Sequence, residues 1–287
     1  MRILITGSSG FLGSLFTTYL ANKHEFICPK REDIDFSNPQ LVYDYFMQQD
    51  FDVCFHLAAN GQTKICEENP ELTHKINTQT TNEIAKVCKE KKARLIFFST
   101  EQVYNGQSQG PFTEEIPPKS ITNYGLQKIE AEQFITSNLD DYLILRLSWM
   151  FGLSSKNIKA SPNIIKNVLT ALLYRQATLF TLHEHRCMTY AYNLVENFGN
   201  ILNAPSGILH FATTNTFTTY DAAKYIAKQL KFNEEDIEKY ILYDLQRYRD
   251  NPRDYRLDNT KALKQGFVLG SFEDDVKNCL SDFGYNT

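Results

Sequence analysis

The sequence predicts an α/β fold, a doubly wound parallel sheet with a smaller carboxyl-terminal substrate lobe, and three observations carry that prediction. The chain opens with an apolar run at 2–6 that breaks into a glycine-rich turn from Gly7 to Gly10. A stretch of helical spacing follows, marked by Leu12, Leu15, Phe16 and Leu20. Four further apolar runs, at 25–28, 51–56, 94–99 and 142–148, alternate with helix-patterned segments, as βα units of a parallel sheet require. Tyr124 and Lys128 stand four residues apart in a helical pattern between the runs at 94–99 and 142–148. That spacing places a phenol and an ammonium on one helix face.

In chain order, the first strand and its turn suit a Rossmann-type dinucleotide site. Backbone N–H groups at a helix start attract a diphosphate, and glycine lets the main chain approach it. Gly7, Ser9, Gly10, Phe11 and Leu12 are the cofactor-binding residues expected there. At the end of the second strand a carboxylate selects a free ribose 2′-hydroxyl, whereas a cation selects a 2′-phosphate. Lys30 and Arg31 occupy that place and favour NADP(H), with Glu32 and Asp33 close behind keeping NAD(H) as the alternative. Asn38 before Pro39 starts a helix that runs to Gln48. The third strand, at 51–56, leads into Leu57, Ala58 and Ala59, where a cofactor can pass close over the sheet. A helix is expected over 70–91. The fourth strand closes on the hydroxyls of Ser99 and Thr100, and the fifth on Trp149, the sole tryptophan. Further on, the pattern predicts helices at 161–174, 193–202 and 220–230 and strands at 179–182 and 208–213.

The pair on the helix carries the chemistry. A free tyrosine ionises near pH 10, and a fixed neighbouring cation favours the phenolate, so its proton becomes easier to give up. Proton transfer to or from an oxygen is the reaction implied.

Composition bounds the rest. At 287 residues the chain suits one large domain or two intimate lobes. Its six cysteines are scattered, with neither a CxxC pair nor a paired histidine spacing, so no metal site is expected and a reducing compartment is the default. The start is a strand rather than a basic leader with an apolar core, and no span is long enough to cross a bilayer. A cytoplasmic protein without membrane partners is the expectation. A net charge of −4 offers no general attraction for nucleic acid.

Taken together, the segments ITGSSGFLG, FFSTEQVY, NYGLQK, RLSWMFG and CEENPE resemble the extended short-chain dehydrogenase/reductase superfamily. Within it they are similar to the dTDP-4-dehydrorhamnose reductases and related sugar-nucleotide reductases. The resemblance implies that Thr100 donates a hydrogen bond to a substrate carbonyl, that Tyr124 is the acid, and that Lys128 tunes Tyr124 and holds the ribose. It places Asp35 and Phe36 beside the adenine, and Leu57, Ala58 and Ala59 at the nicotinamide-side ribose. It puts Thr63 and Trp149 against the sugar, although Lys64 departs from an acidic residue of the reductases. Asn77 matches a residue that steadies the active-site helix. Sugar-nucleotide dehydratases carry Asp then Glu after this threonine, the Glu serving as base; here Glu101 and Gln102 stand there, and an amide is no base. Elimination is therefore disfavoured, and Glu101 matches an acidic residue that orients substrate. Arg186 falls where extended members contact the nucleotide diphosphate, in place of the reductases' small residue. Arg247, Arg249, Arg253 and Arg256 surround a late loop near the substrate nucleotide, with Asn251 replacing a usual arginine.

These readings divide the chain into an NAD(P)-binding domain at 1–152, rejoined by 187–215, and a substrate lobe at 153–186 and 216–287. They predict NADP(H)-dependent reduction of a nucleotide-linked 4-keto-6-deoxy sugar, with a homodimer as an allowed assembly. The alternatives are an NAD-dependent sugar-nucleotide epimerase and a non-catalytic NADP-binding regulatory subunit.

Overall fold

The computed structural model describes residues 1–30 and 32–285. Its strands in chain order are β1 (Arg2–Thr6), β2 (Glu25–Ile27), β3 (Val53–His56), β4 (Arg94–Thr100), β5 (Tyr142–Leu147) and β6 (Trp149–Phe151). They continue as β7 (Thr178–Thr181), β8 (Glu184–His185), β9 (Met188–Tyr190), β10 (Gly207–Phe211), β11 (Ile241–Asp244) and β12 (Arg253–Asp254). The first helices are α1 (Phe11–Tyr19), α2 (Pro39–Gln48), α3 (Thr63–Glu68), α4 (Pro70–His74), α5 (Thr80–Lys91) and α6 (Asn123–Asn138).

A six-stranded sheet in the order β10-β5-β4-β3-β1-β2, parallel throughout, is the backbone of the fold. Side chains alternate across it with the strand period of two. Ile3, Ile5, Phe55, Ile96, Phe98, Leu143 and Leu145 pack on one face with Phe11, Leu15 and Phe16 of α1 and with Leu194 and Phe198. Leu4, Cys54, Leu95, Phe97 and Ile144 pack on the other with Val42 and Phe46 of α2, Ile84 and Val87 of α5, and Ala131 and Ile135 of α6. Covered on both faces, the strands read as nearly continuous apolar runs.

Strand order reverses between β1 and β3, which opens a crevice at the carboxyl ends of the strands. A third core gathers Ile164, Ile165 and Val168 of the helix Ile164–Leu173, Ala222 and Ile226 of Thr219–Gln229, and Val276 and Leu280 of Phe272–Asp282. Phe151, Met188 and Tyr190 join it from the two-stranded pair of β6 and β9. Two other short parallel pairs, β7 with β11 and β8 with β12, complete this region.

Several elements differ from expectation. The helix predicted over 70–91 is interrupted by a π-turn at Lys75–Gln79. The one predicted over 193–202 is split into Asn193–Glu196 and Phe198–Asn203. Thr63–Glu68 forms an unforeseen helix, and the two-residue strands β8 and β12 are too short to show a period. Among the described residues no helix is long and apolar enough to cross a membrane, and no group of three His, Cys, Asp or Glu side chains is placed to hold a metal ion.

Candidate active site

The glycine turn lies against the loop after β3. Gly7 adopts φ +68°, and a Cβ there would sit 3.0 Å from Ala58 N; one on Gly13 would sit 2.2 Å from Gly7 O. Only glycine leaves this cradle open at the start of α1. Thr6 Oγ1, at the end of β1, accepts the Ala58 N–H at 2.9 Å and bonds His56 Nδ1 at 2.8 Å. His56 Nε2 meets Thr81 Oγ1 at 2.9 Å, and Thr81 donates onward to Asn77 O at 2.8 Å. Burial holds the imidazole down to about 3, so it stays neutral and joins the loop to the helix beyond.

The π-turn places Asn77 between that loop and α6. Asn77 accepts from Asn60 N at 2.8 Å and donates to Asn60 O at 3.1 Å and to Gln127 Oε1 at 2.8 Å. Thr78 Oγ1 donates to Gln127 O at 3.0 Å. Asn77 is thus buried rather than facing solvent, and it braces the residue next to Lys128.

Thr122 caps α6 by accepting from Gly125 N at 3.3 Å and is itself held by Asn105 Nδ2 at 2.7 Å. Gly125 is obligatory, since a Cβ there would fall 2.1 Å from Ser120 Oγ and 2.5 Å from Gln102 O. Tyr124 is thereby brought to Thr100, whose Oγ1 accepts from Gln102 N at 3.2 Å. Gly61 stands opposite; its missing Cβ would lie 3.7 Å from the phenol oxygen. Sequence reasoning missed Gly61, and nothing in its local pattern marks it.

Lys128 is almost wholly buried; its Nζ donates to Phe98 O at 2.8 Å and lies 3.8 Å from the Phe97 ring centroid. Burial pulls its ammonium down to about 7 against the opposing pull of the Glu132 carboxylate. The groups that shift the Tyr124 phenol in this structure are other ones. Burial raises the Tyr124 phenol above its ordinary value, and the Glu101 carboxylate and Cys66 push the same way, while the hydrogen bond with Thr100 lowers it. Lys128 is spent on β4 instead.

Two cavities meet at this point. One, of about 340 Å³, is lined by Gly7, Gly10, Phe11, Leu12, Leu57 and Ala59 of the cradle and by Ser99. The other, of about 700 Å³, is lined by Thr63, Thr100, Glu101, Arg186, Tyr248 and Tyr255 among others. Tyr124, Trp149 and Met150 line both. All four residues expected at the substrate, Thr63, Glu101, Trp149 and Arg186, therefore share one cavity. Within it the Arg186 guanidinium pairs with Glu101 beside Thr100 and lies 4.8 Å from the Trp149 ring centroid. Lys64 turns away from the cavity and meets Glu68 at 3.7 Å.

Other expected cofactor contacts do not line the smaller cavity. Lys30 is exposed and pairs with Glu32 at 3.5 Å, while its backbone N–H is held by Asp33. Asp35 accepts from Ser37 N at 2.8 Å and from Ser37 Oγ at 2.7 Å, which lowers its carboxyl and closes a turn. Phe36 packs on the α2 side of the sheet. Ser9 and Ala58 sit in the turn and the facing loop without lining the space, and Arg31 lies outside the described residues. Tyr248, with φ +64°, is a cavity residue the sequence did not announce; the Arg253 guanidinium lies 3.6 Å from its ring centroid.

A parallel sheet with a glycine cradle at its switch point, a threonine and a tyrosine on the crevice, and a lysine one helical turn behind that tyrosine mark an extended short-chain dehydrogenase/reductase. More particularly, the chain belongs to the RmlD substrate binding domain family, whose profile matches residues 1–285. It is 27% identical to the dTDP-4-dehydrorhamnose reductase of Salmonella typhimurium over 98% of each chain. It is 27% identical over 96% of each to Agl14 of Haloferax volcanii, a probable low-salt glycan biosynthesis reductase. The crystal structure of dTDP-4-dehydrorhamnose reductase from Bacillus anthracis in complex with NADP superimposes with a TM-score of 0.85 at 21% identity, covering 98% of this chain and 99% of that one. That likeness establishes the fold.

Proposed function

We propose that this chain is an NADP(H)-dependent reductase of a nucleotide-linked 4-keto-6-deoxy sugar. The observation that carries the reading is the meeting of the two cavities at Tyr124, Trp149 and Met150, which puts a proton donor between a glycine cradle and a polar sugar-sized space. Gly7, Gly10, Phe11 and Leu12 hold the diphosphate side of the dinucleotide, and Leu57 and Ala59 line its path. Lys30 and Arg31 supply the charge for a 2′-phosphate, with NADH as the weaker partner. When bound, the reduced nicotinamide supplies the hydride that adds to the carbonyl carbon. Thr100 and Tyr124 donate to the carbonyl oxygen where negative charge develops, and Tyr124 passes its proton to that oxygen and is reprotonated from solvent.

Support for reduction rather than elimination comes from Gln102. Its amide donates to Glu101 Oε1 at 3.1 Å and accepts from Asn105 Nδ2 at 3.3 Å, so it is a fixed, non-basic group. Oxidation of NADPH and NADH, followed by absorbance against a panel of nucleotide-linked 4-keto-6-deoxy sugars, tests the reading. Turnover with one member and a preference for NADPH are expected. No turnover with any member, with NAD retained by the purified protein, would replace the reductase by an epimerase.

Lys128 adds a pH dependence. We expect it to hold the ribose as an ammonium, and between pH 7 and 9 it is the titrating group at this point: His56 is neutral and Tyr124 keeps its proton. Its pKa in the free protein is about 7, so the favoured charged form is lost as pH rises above that. NADPH affinity is expected to weaken by up to about tenfold per pH unit above pH 7. In that range the 2′-phosphate is already charged. A fluorescence titration of NADPH checks this, and the same slope in Lys128→Met would refute it.

A further inference from the structure

The chemical end of the larger cavity holds an ion pair that the reduction does not itself use. Glu101 follows Thr100 directly and is 2% exposed. Arg186 Nη2 bonds its Oε1, and Gln102 Nε2 donates to the same oxygen at 3.1 Å. Neither bond falls on Oε2. Arg186 Nε is enclosed, the guanidinium is held over Trp149, and Nη1 makes no hydrogen bond among the described residues. Through Oε2 and Nη1 the pair offers a carboxylate lone pair and an N–H donor on the wall that also carries Thr100 and Tyr124.

A hydroxyl is the group that donates and accepts at once. Resting on the reductase reading above, we infer that Glu101 and Arg186 read the hydroxyl on the carbon next to the reacting carbonyl of a neutral nucleotide-linked sugar, Glu101 accepting its proton and Arg186 donating to its oxygen. Glu101 follows Thr100 directly, and both line one cavity with Tyr124 and Arg186, so the pair faces the part of the sugar beside the carbonyl. A sugar lacking this hydroxyl leaves the buried acceptor and donor unsatisfied. A sugar carboxylate at the same place meets Glu101 with like charge, while Arg186 is already neutralised. The pair thus selects by hydrogen bonding and against anions.

The test separates binding from turnover. Affinities of a dTDP-linked 6-deoxyhexose and its 3-deoxy analogue are measured by calorimetry on the NADPH-bound protein. The wild type is expected to prefer the 3-hydroxy sugar by at least about 100-fold. In the Glu101→Gln/Arg186→Gln double variant, which removes both charges together, the ratio is expected to fall below about tenfold, with NADPH affinity and melting temperature reporting that the fold is kept. Equal affinity for the two sugars in the wild type, or an undiminished ratio in the folded double variant, overturns the inference. The reductase reading fails separately, by absence of turnover with the corresponding 4-keto sugar while the binding preference persists.

Discussion

Tyr124→Phe is expected to lower kcat by about 10²- to 10⁴-fold, the range of a positioned general acid, and to leave NADPH affinity within about threefold. The ring of Tyr124 lines both cavities and is retained in phenylalanine, so packing against cofactor and sugar survives while the proton donor is lost. Because burial and Glu101 raise the phenol above its ordinary value, the acid form persists through neutral and mildly basic pH. Activity in the wild type is therefore expected to show no loss from Tyr124 ionisation below pH 10. Steady-state kinetics with fluorescence titration of NADPH check both parts; an unchanged kcat in the variant would remove Tyr124 from the mechanism.

The largest stability effect is expected beneath the sheet. Arg146 on β5 and Glu132 on α6 are each nearly inaccessible, with Arg146 Nη2 2.6 Å from Glu132 Oε2 and Nε 3.1 Å from both carboxylate oxygens. Ser99 donates to Glu132 Oε1 at 2.5 Å, and Arg146 Nη1 donates to Tyr104 OH, also at 2.5 Å. His210 Nδ1 bonds Asp258 O at 3.2 Å and its Nε2 meets Tyr104 OH at 3.2 Å. Burial holds His210 down to about 3 and pushes Tyr104 up to about 12, so both are neutral beside the Arg146–Glu132 ion pair, with Glu114 a further acidic neighbour. Arg146→Met strands a buried carboxylate and is expected to destabilise by about 3 to 5 kcal/mol. At roughly 2 to 4 °C per kcal/mol, the melting temperature falls by about 10 °C. Glu132→Leu added to it removes the stranded charge and is expected to recover most of that loss. Thermal or urea unfolding of the two variants checks it, and a double variant no better than the single would show that hydrogen bonding, rather than charge, dominates the site.

The strand, turn and helix from Arg2 to Tyr19 and the helical face shared by Tyr124 and Lys128 were legible because each is a local pattern, readable within a window of about ten residues. The non-basic Gln102 was legible for the same reason, since residue type alone excludes it as a base. Longer reach failed. The π-turn at Lys75–Gln79 leaves no periodic trace, yet it carries Asn77 to a loop 17 residues earlier and to a helix 50 residues later. The strand carbonyl that Lys128 Nζ meets, Phe98 O, lies 30 residues back in β4, and no local pattern announces it.

What the sequence determined alone was the class of fold, the glycine turn after β1 and the shared helix face of Tyr124 and Lys128, all set by residue type and short spacing. Only the tertiary structure decided which charges meet. Arg146 and Glu132 are 14 residues apart, and Arg186 and Glu101 are 85 apart; packing brings each pair together where water is excluded. A buried charge without its partner costs several kcal/mol, so the fold that pairs them, rather than any local pattern, sets Arg186 against Glu101 in the cavity wall.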